Sequence, residues 1–275
     1  MKKRKRWNLL WYTLAVLWGV ITIMPLVITV LSSFKNNNEI NIGLFKLPEQ
    51  WRIENYIKAN STANALGSIS NSLLLAVMTT ILVTVVGMMA AYILARKKLF
   101  FIKPLYLFFM VGVMVPVHCT VVPISNIATA VGAKDSYWFI ILVYAAFNLA
   151  QAVFLYTGFI EGIDRELDEA AIIDGCNDLN LLTRVLMPIC KPILATEAIF
   201  VFIYGYSELI FSLVLLSKEE KYTVSRAMLG FTGEHSTDMG PQFAFVVMSM
   251  IPMVIVYLIF HEKVESGMLS GAVKG

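Results

Sequence analysis

The sequence predicts an all-α integral membrane protein with six transmembrane helices and both termini in the cytoplasm. Hydrophobic residues make up 58% of the 275 residues and charged residues only 15%. This composition excludes an ordinary soluble enzyme, whose surface needs more charged side chains. The apolar residues also cluster into blocks of about 20, the length that a helix needs to cross about 30 Å of hydrocarbon. The distribution of lysine and arginine then indicates the orientation.

Six segments are predicted to span the membrane as helices, because in lipid every backbone N–H and C=O group must bond within its own segment. The predicted spans are residues 8–33, 69–95, 104–124, 137–160, 192–216 and 243–261 of a single domain that covers 1–275. Prolines within spans or near their ends predict kinks at Pro25, Pro116, Pro123 and Pro252. The principal kink is expected near Pro116.

Positive charge is more abundant on the side of the predicted bundle that holds both ends of the chain. Fourteen of the 22 Lys and Arg residues lie there, five of them in the tail 2–6, and eight lie on the other side. Because cytoplasmic connections hold the excess of Lys and Arg, both termini are predicted to be cytoplasmic. The net charge of +3 follows from this bias and gives no support to nucleic-acid binding.

Residues suited to catalysis, phosphate binding or metal binding form no recognisable set. The sequence lacks a GxxxxGK[ST] loop, whose backbone amides would bind phosphates, so no ATP site is expected on this chain. His118, His235 and His261 are far apart in the sequence, and no metal site is expected. No nucleophile arrangement is evident either. The chain is therefore expected to have no catalytic residues and no cofactor of its own.

The connection between the fourth and fifth predicted spans, residues 161–191, is unusual because it is acidic. It holds seven acids against three bases. Asp164 can cap a helix here, and acids in its first turns suit the helix dipole. Gly175 suits the left-handed position that ends a helix. The predicted helix has about three turns and a shallow apolar face, formed by Leu167, Ala170 and Ala171.

A second helix is predicted to start at Asn177 or Asp178 and to carry an apolar stripe. The stripe residues stand three and four apart and are Leu179, Leu182, Val185 and Leu186. Pro188 and Pro192 mark the turn into the fifth span. The two helices, joined at Gly175, form an elbow. This elbow either binds another protein or is merely an ordered intracellular loop.

The elbow resembles the EAA loop of ABC importer permeases. That motif reads Glu-Ala-Ala, three residues, Gly, nine residues and Ile-any-Leu-Pro, and the matching positions hold Glu169, Ala170, Ala171, Gly175 and Pro188. Val185 and Met187 replace the Ile and the Leu. The resemblance implies that the loop docks into a cleft on a cytoplasmic ATPase subunit. These matching residues and Asp174 would then lie at or near the docking surface.

Other stretches resemble the maltose-type carbohydrate permeases of that family. The ending GMLSGAVKG is similar to their C-terminus, which implies a cytoplasmic interface at Gly271, Ala272, Val273, Lys274 and Gly275. Residues 71–76, residues 91–96 and the STDMGPQFAF segment before the sixth span are also similar. The sequence departs from the family at residues 206–209, where Tyr-Ser-Glu-Leu replaces the frequent Trp-Asn-Glu-Phe, and at Asp164, where a proline is usual.

The resemblance implies a type I ABC importer permease fold in a bacterial plasma membrane, together with a set of partners. These are a second homologous permease, two cytoplasmic ATPase subunits that hold ATP and magnesium, and an extracytoplasmic substrate-binding protein. The outer connections 34–68 and 217–241 are expected to receive the binding protein. The expected solute is a sugar or oligosaccharide. The alternatives are a glycerol phosphate or polyol importer of the same family and an ion-gradient carrier with Glu208 as its coupling acid.

Ionisable side chains inside a span are costly and indicate candidates for the solute path. Glu197 and Glu208 lie about three turns apart on nearly the same face of the fifth span. Glu208 can bind sugar hydroxyls, or it can pair structurally with a tyrosine or a backbone group. The side chains predicted to line the path are Glu208, Tyr204, Tyr206 and His118. For His118, a role in helix packing is the alternative.

Overall fold

The computed structural model describes residues 2–231 and 238–272, with side chains from residue 11 to residue 260 outside the gap. The described residues form helices and loops. The helices are α1 (Lys2–Ser32), α2 (Asn37–Ile42), α3 (Glu54–Ala63), α4 (Ala65–Arg96), α5 (Ile102–Met114), α6 (Val121–Ala130), α7 (Tyr137–Glu161), α8 (Glu166–Ile173), α9 (Asp178–Ile189), α10 (Lys191–Ser207), α11 (Ile210–Leu215), α12 (Val224–Met228) and α13 (Met239–Ala272).

Four of the described helices are long and apolar enough to cross a membrane by themselves, namely α1, α4, α7 and α13. Two bent pairs pass the same test together: α5 with residues 117–130, bent by 93°, and α9 with α10, bent by 81°. Counting each bent pair as one span gives six within the described part of the chain. The predicted all-α membrane protein is therefore confirmed, while the orientation of its termini stays a prediction.

The described residues pack as two units. Of the described residues, the first unit comprises 2–66, 227–231 and 238–251, and the second comprises 67–226 and 252–272. In the first unit, no residue in the most apolar stretch of α1 is buried. This helix therefore offers its apolar side chains to lipid or to another chain. The elbow and most of the span residues belong to the second unit.

A folded connection follows α1 in the first unit. Lys35 is fully buried there, and its Nζ donates hydrogen bonds to the carbonyl oxygens of Gly43 (3.1 Å) and Leu44 (3.0 Å). The amide of Asn55 in α3 donates to the carbonyl oxygens of Ser33 (2.8 Å) and Lys35 (3.0 Å). Because buried polar groups require partners, these bonds hold the predicted outer connection in one conformation.

The kink predicted near Pro116 is a complete break. α5 ends at Met114, a 3-10 turn covers Val117–Thr120, and α6 then leaves at a steep angle. Proline has no N–H to continue the helix, and it disfavours a helical residue before it. Val115 is accordingly extended, with ψ 122°. The predicted span 104–124 is therefore two helices.

The predicted span 192–216 is also interrupted, at Glu208. This residue is extended (φ −63°, ψ 129°), and its carboxylate accepts hydrogen bonds from the N–H groups of Phe211 (2.9 Å) and Ser212 (3.2 Å) and from the hydroxyl of Tyr144 (2.7 Å). The carboxylate thus satisfies N–H groups at the start of α11 that lack a helical partner. No glycine or proline marks this break in the sequence.

α4, α7 and α10 contribute to the core of the second unit, and glycines let them approach closely. A Cβ atom added at Gly87 in α4 would lie 3.2 Å from the ring of Tyr156 in α7. One added at Gly205 in α10 would lie 3.0 Å from the Cα of Ala76 in α4. The backbone of α4 cannot rotate away as a side chain can, so α10 and α4 pack this closely only because residue 205 is glycine.

Gly205→Ala should therefore destabilise the protein. Forcing α10 away from α4 is expected to cost about 1–3 kcal/mol, seen as a lower melting temperature of the detergent-purified protein. Gly158→Ala is the control, because it adds the same methyl group to a helix at a position with no neighbour within 4 Å. Equal melting temperatures for the two variants would contradict this account of the helix contact.

Candidate functional site

The bend of the elbow is formed by Gly175. It has φ +87°, the left-handed conformation that glycine adopts without strain. The N–H groups that follow α8 turn back to its last carbonyls, with Cys176 donating to Ala171 (2.9 Å) and Gly175 donating to Ile172 (3.0 Å). These bonds satisfy the free carbonyl groups at the end of the helix. The prediction that Gly175 ends the first helix is confirmed.

The first helix of the elbow starts differently from the prediction. α8 covers only Glu166–Ile173, and the residue before it, Arg165, is helical and gives no side-chain cap. The predicted cap by Asp164 is wrong: α8 is preceded by Arg165, and the N–H of Leu167 donates to the main-chain carbonyl oxygen of Asp164, not to its side chain. The helical conformation of Arg165 is not the extended one that a capping residue adopts.

The second helix of the elbow, α9, starts where the sequence predicts. Asn177 caps it by accepting the N–H of Asn180 at 2.8 Å. Residues Leu181–Leu186 form a π-helix, in which bonded residues are five apart. Leu181, Leu182 and Leu186 are buried, whereas Leu179 is 64% exposed. The three- and four-residue spacing predicted that Leu179 lies on the buried side of the helix. In the structure, where a π-helix replaces part of the α-helix, Leu181 is buried and Leu179 is exposed.

The two sides of α8 differ in chemistry. Ala171 and Asp168 are buried, whereas Leu167 and Ala170, which were predicted to share an apolar face with Ala171, are exposed. The exposed residues follow the helical repeat and continue to Asp174, just beyond the helix. We call them the outer elbow surface, which consists of Glu166, Glu169, Ala170, Ile173 and Asp174. It combines acids with an isoleucine that is 85% exposed. Gly175 and Pro188 are also exposed.

Side chains at the end of α4 and just after it hold the inner side of the elbow, namely Arg96, Tyr92 and Lys97. Arg96 forms an ion pair with Asp168 in which the side chains are only 6% and 12% exposed, and it donates to the Ile163 carbonyl oxygen at 3.0 Å. Arg165 donates in return to the Ala95 carbonyl oxygen at 3.3 Å. The sequence reasoning missed Arg96, because residues 91–96 were noted only for their family resemblance.

The start of α9 is held by the other two side chains. Tyr92 and Lys97 donate to the carboxylate of Asp178, at 2.8 Å and 2.7 Å respectively. These hydrogen bonds hold the pKa of Asp178 below its ordinary value, and the bond from Lys97 has the largest effect. This pair is much more exposed than the Arg96 pair, at 40% for Lys97 and 63% for Asp178.

A small polar groove lies between α5, α7 and α10. It has a volume of about 200 Å³, and its lining residues are Gly112, Val113, Val115, Val117, Phe147, Asn148, Gln151 and Tyr204. The Tyr204 hydroxyl is buried and has no hydrogen-bond partner among the described residues. Gln151 donates to the buried Glu197 at 3.3 Å. Asn148 and Gln151 were not among the predicted path residues, since isolated amides in an apolar helix carry no motif.

The structure brings some predicted path residues together and separates others. Glu208 and Tyr204 share a neighbour, Tyr144, which donates to the Glu208 carboxylate and meets the Tyr204 ring edge-on at 5.5 Å. Tyr206 instead stacks on Phe202 in a cluster with Ala76. His118 is exposed on the turn between α5 and α6 and does not line the groove.

Several residues singled out in the sequence lie at the edge of the described residues or outside them. Gly271 and Ala272 end α13, in a stretch whose side chains are not described, and Val273, Lys274 and Gly275 lie outside the described residues. His235 lies outside them as well. Within the described part of the chain, no three His, Cys, Asp or Glu side chains are grouped to hold a metal ion.

A comparison with protein families assigns most of the chain to a transport family. Residues 83–270 match the family described as "Binding-protein-dependent transport system inner membrane component". The chain belongs to this family. The matched region runs from the middle of α4 to the end of α13, so it includes both the elbow and the polar groove.

Individual relatives cover all or nearly all of the chain. The multiple sugar-binding transport system permease protein MsmG of Streptococcus mutans is 32% identical over 281 residues, covering 100% of each chain. The diacetylchitobiose uptake system permease protein NgcG of Streptomyces coelicolor is 30% identical, covering 97% of this chain and 89% of its own. A crystal structure of a bacterial ABC transporter involved in alginate import superposes with a TM-score of 0.82 at 21% identity, covering 95% of this chain and 98% of that chain. The ABC importer permease fold is thus shown.

The two carboxylates held by α4 should differ strongly in their effect on stability. Asp168→Ala leaves the buried Arg96 charge unpaired and should cost about 3–5 kcal/mol. Asp178→Ala breaks an exposed pair and should cost about 0.2–1 kcal/mol. Melting temperatures of the purified variants measure the difference. A larger loss for Asp178→Ala would contradict the assignment of burial.

The pH dependence of the stability of the Asp178→Asn variant tests the ion pair between Lys97 and Asp178. Because the pKa of Asp178 is lowered in the folded protein, its stabilisation is present above the ordinary aspartate pKa of about 3.9. It is lost as the pH falls through the lowered value. The difference in melting temperature between wild type and Asp178→Asn should therefore shrink at acid pH. A difference that is constant with pH would show that the carboxylate charge has no role.

Proposed function

We propose that the chain is the permease subunit of an ATP-driven importer of a sugar or an oligosaccharide. Membership of a binding-protein-dependent transport family supports the importer role. The names of similar permeases, which mention multiple sugars and diacetylchitobiose, support the solute class. ATP and magnesium belong in this proposal to separate ATPase subunits. A glycerol phosphate or polyol as solute has no counterpart in these names.

The observation that carries the proposal is the outer elbow surface. It projects acids and an exposed isoleucine from a short helix whose inner side is fixed by a buried ion pair. A partner that grips Glu169, Ala170 and Asp174 would move a rigid element, because α8 cannot slide on α4 without breaking that pair. We assign this surface to the ATPase subunit, with Gly175 shaping the bend, Ala171 facing inward and Pro188 closing the second arm.

The remaining partners and the topology are parts of the same proposal. A second homologous permease completes the pathway, and the unburied apolar face of α1 offers a surface for that permease or for lipid. Both termini face the cytoplasm, where Gly271–Gly275 would approach the ATPase. A substrate-binding protein outside the membrane docks on the connections 34–68 and 217–241. The excess of Lys and Arg on the inner side supports this orientation.

Glu208 supports the ABC mechanism over an ion-gradient carrier. Three donors hold its carboxylate at the break before α11. Both carboxylate oxygens are thereby used to hold the chain, at the start of α11 and against Tyr144 in α7. We therefore assign Glu208 to holding the break, beside the path, and not to coupling.

We place solute contact at the polar groove beside this break. Saccharide recognition combines hydrogen bonds to hydroxyls with an apolar or aromatic surface. The groove offers both: the unpartnered Tyr204 hydroxyl and the amides of Asn148 and Gln151 on one hand, and the ring of Phe147 on the other. His118 and Tyr206 lie outside it.

Gly175→Asp tests ATPase docking. The variant forces a charged side chain into a left-handed bend beside the docking surface, so uptake should fall about tenfold or more and the ATPase subunit should no longer co-purify. Gly132→Asp is the matched control, since Gly132 is also left-handed (φ +65°) with nothing within 4 Å and lies far from the elbow in the sequence. Uptake of labelled maltotriose, raffinose and diacetylchitobiose is measured in cells that carry the whole importer. Normal ATPase co-purification with Gly175→Asp would contradict the docking assignment.

Tyr204→Phe tests the groove. Removing a hydroxyl that has no partner should leave the melting temperature unchanged, whereas losing a hydrogen bond to solute should raise the KM for uptake about three- to tenfold. The same three saccharides are the probes. An unchanged KM for each transported saccharide would remove Tyr204 from the proposed path.

A further inference from the structure

α4 differs from the other helices around the elbow because it is continuous and is not adjacent to the elbow in the sequence. It runs for 32 residues without a proline. By contrast, the chain breaks between α5 and α6 and again between α10 and α11. α7 joins the elbow directly through the backbone at Glu161. α4 is linked to the elbow only through side-chain and carbonyl contacts, most of them near Arg96.

The outer end of α4 is also held by polar contacts. The amide of Asn71 donates to the carbonyl oxygens of Glu220 (2.9 Å) and Tyr222 (3.0 Å), and the fully buried Ser72 hydroxyl accepts the N–H of Val224 at 2.9 Å. These partners belong to the connection 217–241, which is expected to receive the binding protein. They lie about 150 residues from Asn71 along the chain.

Asn71 and Arg96 are 25 residues apart on one helix, which is about 37 Å at 1.5 Å per residue. An unbroken helix of this length is stiff, since shortening it requires breaking its backbone hydrogen bonds. A displacement at one end is therefore delivered to the other. The inner clamp is directional because the Arg96 guanidinium contacts both α8, at Asp168, and the turn before it, at Ile163.

We propose that α4 is a rod that couples residues 220–224 of the outer connection to the elbow, with Arg96 as its inner positioning residue and Asn71 as its outer one. This inference rests on the proposed docking of the ATPase at the elbow. ATP-driven movement of α8 pulls the inner end of α4 through Arg96, and α4 moves residues 220–224 through Asn71. In the reverse direction, a binding protein seated on the outer connection signals to the ATPase along the same rod.

The experiment uses the complete importer, reconstituted in liposomes with its binding protein. For each variant, ATPase co-purification, the basal ATP hydrolysis rate, the stimulation of hydrolysis by the binding protein, and uptake of maltotriose, raffinose and diacetylchitobiose are measured. Asn71→Ala should keep co-purification and basal hydrolysis within about twofold of wild type, because Asn71 lies at the end of α4 that is far from the elbow. Asn71→Ala and Arg96→Ala should both lose stimulation and uptake by about tenfold or more. Lys98→Ala is the control, since it removes an exposed positive charge two residues from Arg96.

Exchange of the charges separates positioning from stability. Arg96→Asp combined with Asp168→Arg restores a pair across the same contact, and it should recover at least a third of the stimulation that either single change abolishes. If Arg96→Ala fails to accumulate in the membrane, the comparison of this double variant with Asn71→Ala decides the matter. The proposal that α4 couples its two ends would be rejected if stimulation stays normal in Asn71→Ala, or if it stays absent in the double variant Arg96→Asp with Asp168→Arg.

The outcome distinguishes failure of the rod from failure of ATPase docking. If Arg96→Ala prevents co-purification of the ATPase, the clamp shapes the docking surface and the rod is rejected, while the docking assignment stands. If Gly175→Asp leaves co-purification intact, the docking assignment is rejected, whatever the Arg96 variants do.

Discussion

The ion pair between Arg96 and Asp168 sets the position of the candidate site. Two opposite charges that are almost fully buried attract each other strongly, but they lost their hydration when the protein folded. Such a pair contributes little to net stability, yet it tolerates very little displacement, because either charge left alone in the interior is expensive. It therefore specifies where α8 lies on α4, and this placement leaves the outer elbow surface free to meet a partner.

The ion pair between Lys97 and Asp178 holds the start of α9, the second helix of the elbow, and it differs from the Arg96 pair because it is exposed to water. Water screens it, so its geometry can change at low cost. Gly175 lies between the two arms in a left-handed conformation, and a π-helix follows in the second arm. The first arm is therefore held mainly by a buried charge pair, and the second by buried leucines together with an exposed charge pair at its start.

Helix breaks in this protein occur where side chains or turns replace the lost backbone bonds. The bend at Pro116 is closed by a 3-10 turn, and the break at Glu208 is closed by the glutamate carboxylate and Tyr144. In a membrane such irregular backbone is tolerated only where it is buried in protein or lines a cavity. Val115 and Val117 beside the first break, and Tyr204 near the second, do line the polar groove.

The sequence by itself determined the membrane class, the elbow with its glycine bend and a kink near Pro116. These features depend on local composition, on backbone chemistry and on hydrophobic blocks long enough to cross a bilayer. Only the tertiary structure decided the break at Glu208, the burial of Leu181 in place of Leu179, the polar groove and the grip of Arg96 on Asp168. Each of these depends on residues 60 or more positions apart or on a π-turn, neither of which leaves a periodic signal in the sequence. The sequence could place an arginine at the end of a span, but only the packing of α4 on the elbow could pair it with one acid among the seven nearby.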